Sequence, residues 1–79
     1  MCSRYKMGMK PILRQRFGAR VKELRKATGL SQEAFAEKCG FVRTYMSRIE
    51  TGRSNVSLDA IETLATALRV GVQDLFTGL

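Results

Sequence analysis

The chain has 79 residues, which corresponds to one small domain near the lower end of the sizes that fold on a hydrophobic core alone. Its composition, 44 % hydrophobic and 27 % charged residues with one proline, is typical of a globular chain rather than a disordered one. Two cysteines and no histidine argue against a disulfide framework or a zinc site and favour a reduced, cytoplasmic protein. No cofactor is expected. The apolar runs are too short to span a membrane, and the first ten residues lack the apolar segment of a secretory signal.

The net charge of +7 is unevenly distributed along the chain. Residues 1–30 carry nine Lys and Arg against one acid, whereas residues 56–79 carry one Arg against three acids. This asymmetry favours a polyanionic partner that meets one side of the molecule, over a surface that merely keeps the protein in solution.

Residues 1–10 show no hydrophobic periodicity and are predicted to form a flexible basic arm, so that residues 11–79 make up a single domain. Met7 and Met9 leave open a natural start within the arm. Pro11 suits the first turn of a helix. A four-four-three spacing then predicts an amphipathic first helix whose apolar stripe is Leu13, Phe17, Val21 and Leu24.

Two short helices are predicted next, on either side of Gly40. Ser31 is a good N-cap for the first of them, which carries Phe35, Ala36 and Cys39 on its apolar face. The second begins near Arg43, after a residue that is a poor cap, and its predicted apolar side is Val42, Met46 and Ile49.

Ser57 is the predicted cap of a fourth helix, and residues 72–79 suggest a short fifth one. The apolar stripe expected on the fourth helix is Leu58, Ile61, Leu64, Ala65 and Leu68. No strand pattern is visible, so the predicted class is all-α. Small Ala36 and the positive φ available to Gly40 would let the two short helices pack at an angle, which leaves the second one prominent on the surface.

Three segments resemble the phage-repressor-like (Cro/CI, Xre-type) helix-turn-helix proteins over residues 14–77. They are LSQEAFAEKCGFVRTYMSRIETG, SLDAIETLATAL and VQDLF. The stretch RTYMSRIE within the first segment, followed by SLDAIETLATAL, also looks like the small controller proteins of restriction–modification systems. The resemblance implies a five-helix, lambda-repressor-like fold that dimerises and places its third helix in the major groove of double-stranded DNA.

The resemblance also implies roles for individual residues. Residues that would read base edges are Arg43, Thr44, Ser47 and Arg48, and those that would contact phosphate are Ser31, Gln32, Tyr45, Thr51 and Arg53. An ion pair between Arg25 and Glu50 is also implied. Separately, at least one of Leu75, Phe76 and Leu79 is expected to make a dimer contact, because a 79-residue monomer has little interior in which to bury them. The chemistry agrees independently, because an arginine fork pairs with guanine O6 and N7 and a threonine methyl can meet thymine.

Each of these residues has a plainer alternative. The arginines could be solvated surface charges, Arg25 could contact phosphate, and Tyr45 could be half-buried packing. Leu75, Phe76 and Leu79 could belong to the core. Cys39 is expected to be a core residue rather than a redox switch.

The favoured function is a homodimeric, sequence-specific transcription regulator with a two-fold symmetric operator, controlling its own synthesis. RNA polymerase is a candidate second partner, and no small-molecule ligand is expected. The alternative is an antitoxin-like or adaptor protein whose main partner is another protein. An enzyme is disfavoured because no nucleophile arrangement, phosphate loop or metal set is present in the sequence. Binding to an anionic membrane is disfavoured because the apolar stripe of the first helix is needed for the core.

Overall fold

The computed structural model describes residues 12–79, which form four α-helices and one 3-10 helix without a strand. The elements are α1 (Ile12–Thr28), α2 (Gln32–Cys39), α3 (Arg43–Glu50), α4 (Leu58–Leu68) and the 3-10 helix (Val72–Phe76). The all-α class is confirmed, and the fifth helix is of the tighter 3-10 type. The predicted basic arm, residues 1–10, and Pro11 lie outside the described residues.

The helix ends follow the capping residues that the sequence supplies. The Ser31 hydroxyl accepts a hydrogen bond from the N–H of Ala34 at 3.0 Å, and the Ser57 hydroxyl accepts one from Ala60 at 3.1 Å. Gly40 ends α2 with φ 78°, a left-handed conformation that a residue with a Cβ adopts only at a cost. These three predictions are confirmed, as is the absence of a side-chain cap on α3.

One hydrophobic core joins all five elements. Its buried members are Phe17, Val21, Phe35, Ala36, Met46, Ile49, Leu64, Ala65, Leu68 and Leu75. Helix α1 packs against α3, α4 and the 3-10 helix, and α2 packs against α3 and α4. Because α2 and α3 have only eight residues each, neither would persist as an isolated helix, and packing against the rest of the domain maintains both.

Three residues assigned to apolar stripes lie on the surface, so their predicted burial was wrong. Leu13 is 60 % exposed, Val42 68 % and Leu58 83 %. Leu13 and Leu58 belong to the first turns of α1 and α4, and the packing of the described residues leaves both side chains accessible. Val42 has an extended backbone (φ −76°, ψ 152°), so the helical wheel does not describe the direction of its side chain.

The predicted dimer contact by Leu75 was also wrong. This residue is fully buried within its own chain and therefore has no surface to offer a second copy. Its neighbour Phe76 is 37 % exposed and its ring centre lies 5.1 Å from that of Phe17, while Leu79 is half-buried. Phe76 and Leu79 remain as predicted dimer contacts. No helix within residues 12–79 has the length and apolar character needed to cross a membrane.

Candidate nucleic-acid interface

Helix α3 has a buried side and an exposed polar side. Met46 and Ile49 are fully enclosed in the core. Arg43, Thr44 and Arg48 are exposed, and Ser47 is partly exposed. The four residues predicted to read bases therefore lie on one short helix, with their side chains accessible to a ligand that approaches from outside.

Two glycines bring the backbone of α3 and the following turn directly against α1. A Cβ added to Gly18, in the middle of α1, would overlap the carbonyl oxygen of Ile49 and lie 2.8 Å from that of Glu50. A Cβ on Gly52 would lie 2.7 Å from the Cα of Gln15. This contact was not predicted from the sequence, although a glycine inside a long helical pattern is a signal for close packing.

A buried ion pair fixes the C-terminal end of α3. The Arg25 guanidinium donates to both carboxylate oxygens of Glu50, from Nε at 2.7 Å and from Nη2 at 3.1 Å. Its Nη1 donates to the carbonyl oxygen of Leu30 at 2.9 Å. The pairing that the resemblance implied is therefore confirmed, and the plainer alternative of a phosphate contact by Arg25 is disfavoured because the side chain is buried and bonded inside the domain.

Gln32 extends the same network to the start of α2. Its Nε2 donates to Glu50 Oε1 at 3.1 Å, so its amide is oriented by the residue that ends α3. A side-chain amide nitrogen carries two N–H groups, and the second remains available for another acceptor. The predicted phosphate contact is compatible with this arrangement and stays a prediction.

The other residues predicted to touch phosphate are exposed at the ends of α2 and α3. Ser31 precedes α2, while Thr51 and Arg53 follow α3. The Thr51 hydroxyl donates to the carbonyl oxygen of Ser47 at 2.9 Å, and the Arg53 N–H donates to that of Arg48 at 2.8 Å. These bonds hold the turn after α3 in a defined shape and leave the Arg53 side chain at the surface.

Tyr45 and Cys39 border this region. The Tyr45 ring meets that of Phe41 edge to face, with 4.9 Å between their centres, so the half-buried packing alternative is correct for its ring. A phosphate contact by its hydroxyl stays a prediction. Burial raises the pKa of the Cys39 thiol from 9.0 to about 11, against a small opposing effect of Lys38. The thiol packs on the core, as predicted.

A family model described as a helix-turn-helix domain matches residues 16–76, which is most of the chain. The chain belongs to this helix-turn-helix family. Its relatives include the control protein C.MunI of a Mycoplasma species, 45 % identical over 65 residues, or 81 % of this chain and 88 % of the relative. C.BamHI of Bacillus amyloliquefaciens is 45 % identical over 64 residues, 80 % of this chain and 79 % of that one.

A solved structure gives the same result for the fold. The restriction-modification controller protein C.AhdI from Aeromonas hydrophila superposes with a TM-score of 0.77 at 48 % identity, covering 78 % of this chain and 94 % of that one. The protein described here is thus a DNA-binding transcription regulator of the helix-turn-helix family, not an enzyme.

In such helix-turn-helix proteins the second helix of the pair lies in the major groove and its N-terminal residues meet the base edges. Helix α3 is that second helix in this chain, and Arg43 and Thr44 are its first two residues. No cluster of potential metal ligands occurs in the part of the chain that the structure describes.

Proposed function

We propose that this protein is a controller of restriction–modification genes that binds a two-fold symmetric operator as a homodimer and regulates its own synthesis. The observation that carries the proposal is the accessible polar side of α3, which contains Arg43, Thr44 and Arg48, while the opposite side of the helix is buried in the core. The similarity to control proteins along most of the chain supports the biological setting.

The proposed reading uses two kinds of contact. Arg43 and Arg48 offer planar guanidinium forks to guanine O6 and N7, and Thr44 and Ser47 offer hydroxyl groups to base edges. Each good bidentate contact distinguishes the correct base by roughly 1–3 kcal/mol. The contacts proposed to hold the register on the phosphates come from Ser31, Gln32, Tyr45, Thr51 and Arg53.

The proposed dimer uses the apolar surface between the start of α1 and the 3-10 helix. Leu13, Phe17 and Phe76 line one shallow groove there. Leu13 and Phe76 are exposed there beside the buried Phe17, and a contiguous exposed apolar patch often marks a protein–protein interface. We expect Leu13→Glu to give a monomer with unchanged helix content in sedimentation and circular dichroism, whereas Val72→Glu, at an exposed valine that does not line the groove, stays dimeric.

Selection of bound sequences from a random DNA pool tests the proposed function directly. The expected result is an inverted repeat with half-sites about 10–10.5 base pairs apart, centre to centre, or a multiple of this spacing. A pool that yields no preferred sequence would contradict the proposal and favour a protein partner instead. A reporter driven by the protein's own promoter then shows whether the protein activates or represses.

Variants of the reading residues sharpen the test. Arg43→Ala and Arg48→Ala are expected to lose most of the preference for the operator, measured as the ratio of the affinities for operator and for random DNA. Each variant removes a proposed guanine contact but no core contact. Lys22→Ala removes the same charge from the exposed side of α1 and should keep that ratio. If Arg43→Ala prefers the operator as strongly as the wild type does, Arg43 does not read a base.

A further inference from the structure

Val42 occupies a position that is chemically unsuited to it. It is the N-cap of α3, where Ser, Thr, Asp or Asn would accept a hydrogen bond from the first turn, and its side chain makes no such bond. It is also not buried, because 68 % of its surface is accessible. A residue that neither caps the helix nor packs against the core stabilises this fold less than a serine would.

The surroundings of Val42 show what the side chain can do instead. Its extended backbone places it just ahead of Arg43 and Thr44, two exposed residues at the N-terminal end of α3. This is the end of the recognition helix that meets base edges in the major groove. Val42 supplies the only exposed aliphatic branched side chain among residues 42–48.

We propose that Val42 determines specificity by packing its methyl groups against the C5-methyl of a thymine in each half-site. Thymine alone presents a methyl group in the major groove, and apolar contact is the way in which proteins read it. Valine has no hydrogen-bonding group, so contact with the exposed amino group of a cytosine would leave that donor without a partner. The inference rests on the proposed function, since it requires a specific operator.

The operator obtained by selection provides the test. Each thymine is replaced in turn by uracil, which removes only the C5-methyl group, and affinities are measured for the wild type and for Val42→Ala. One uracil position in each half-site should weaken the wild type by about fourfold per half-site, the effect expected for one buried methyl group. Val42→Ala, whose shorter side chain keeps only its β-carbon, should show a smaller difference between the thymine and uracil operators at that position than the wild type does.

Two further variants separate reading from folding. Val42→Ser restores a capping hydroxyl, so it should melt at a higher temperature than the wild type and still lose the thymine preference. Val72→Ala shortens another exposed valine, which lies at the start of the 3-10 helix and is 44 % accessible, and should keep the preference.

The outcomes distinguish a failure of the proposed function from a failure of the thymine contact alone. A wild-type protein without any preferred operator overturns the proposed function and this inference with it. A preferred operator whose response to uracil is the same in the wild type and in Val42→Ala overturns the inference alone. If the melting temperature is not raised in Val42→Ser, then valine at this N-cap does not lower the stability of the domain, and the structural basis of the inference is removed.

Discussion

Replacing Glu50 by Gln tests how α3 is held in place. The substitution keeps the shape of the side chain but removes the charge that faces Arg25. The Glu50 side chain is 1 % accessible and the Arg25 side chain 9 %, so water cannot readily replace the lost partner. The guanidinium would then remain charged inside the protein, with only the Leu30 carbonyl and an amide oxygen as acceptors.

The size of the effect follows from this burial. Removing one partner of a buried ion pair typically costs about 3–5 kcal/mol. We expect the lower end, about 3 kcal/mol, because an amide oxygen still accepts one hydrogen bond. A domain of this size has a free energy of unfolding of about 4–12 kcal/mol, so the variant loses a quarter or more of its stability. The corresponding fall in melting temperature is roughly 12–24 °C.

The double variant Arg25→Met, Glu50→Met distinguishes a buried charge from lost packing. It removes both charges and leaves apolar side chains in their place, which is often neutral or stabilising. Urea unfolding with an unchanged denaturant dependence should therefore show the double variant to be more stable than Glu50→Gln. If the losses of Arg25→Met and Glu50→Met simply add in the double variant, the two groups act independently and the reasoning is refuted.

Three further measurements test other parts of the structure. Gly18→Ala should destabilise the domain by about 1–3 kcal/mol despite its better helix propensity, because its Cβ meets the backbone of α3; no loss in urea unfolding would refute the close contact. Arg69→Gly should raise stability by about 0.5–1 kcal/mol, since Arg69 ends α4 with φ 60°; a lower urea midpoint would contradict this. With a pKa of about 11 rather than 9.0, Cys39 should be alkylated at pH 8 roughly 100-fold more slowly in the folded protein than in urea, and equal rates would show an ordinary thiol.

The sequence predicted the helices more reliably than the surface positions. Ser31 and Ser57 have strong local signals, because a hydroxyl just before a periodic segment can satisfy a free N–H of the first turn. Leu13 and Leu58 were misplaced because periodicity tells which side of a helix is apolar but not where its neighbours end. The bond from Gln32 to Glu50 joins residues 18 positions apart, and no local pattern predicts it.

In the candidate site, too, features with a local sequence signal were predicted and features that depend on tertiary packing were not. Exposure of Arg43, Thr44 and Arg48 was expected, since polar residues opposite an apolar side of a helix face water. The close approach of α3 to Gly18 was not expected, because it depends on how α1 and α3 meet in three dimensions. Its only trace in the sequence is a glycine in the middle of a helix, which costs about 0.5–1 kcal/mol relative to alanine.

The positions that hold α3 and those proposed to read DNA are largely different. Gly18, Arg25 and Glu50 are buried and fix the helix on the body, whereas Arg43 faces outward and makes no core contact. Substitutions on the outer side can therefore change the sequence that is read with little effect on stability. Val42 is the exception, because one position serves both the helix start and the proposed thymine contact. A residue there that improves capping removes the methyl groups, so stability and specificity should change in opposite directions at this site.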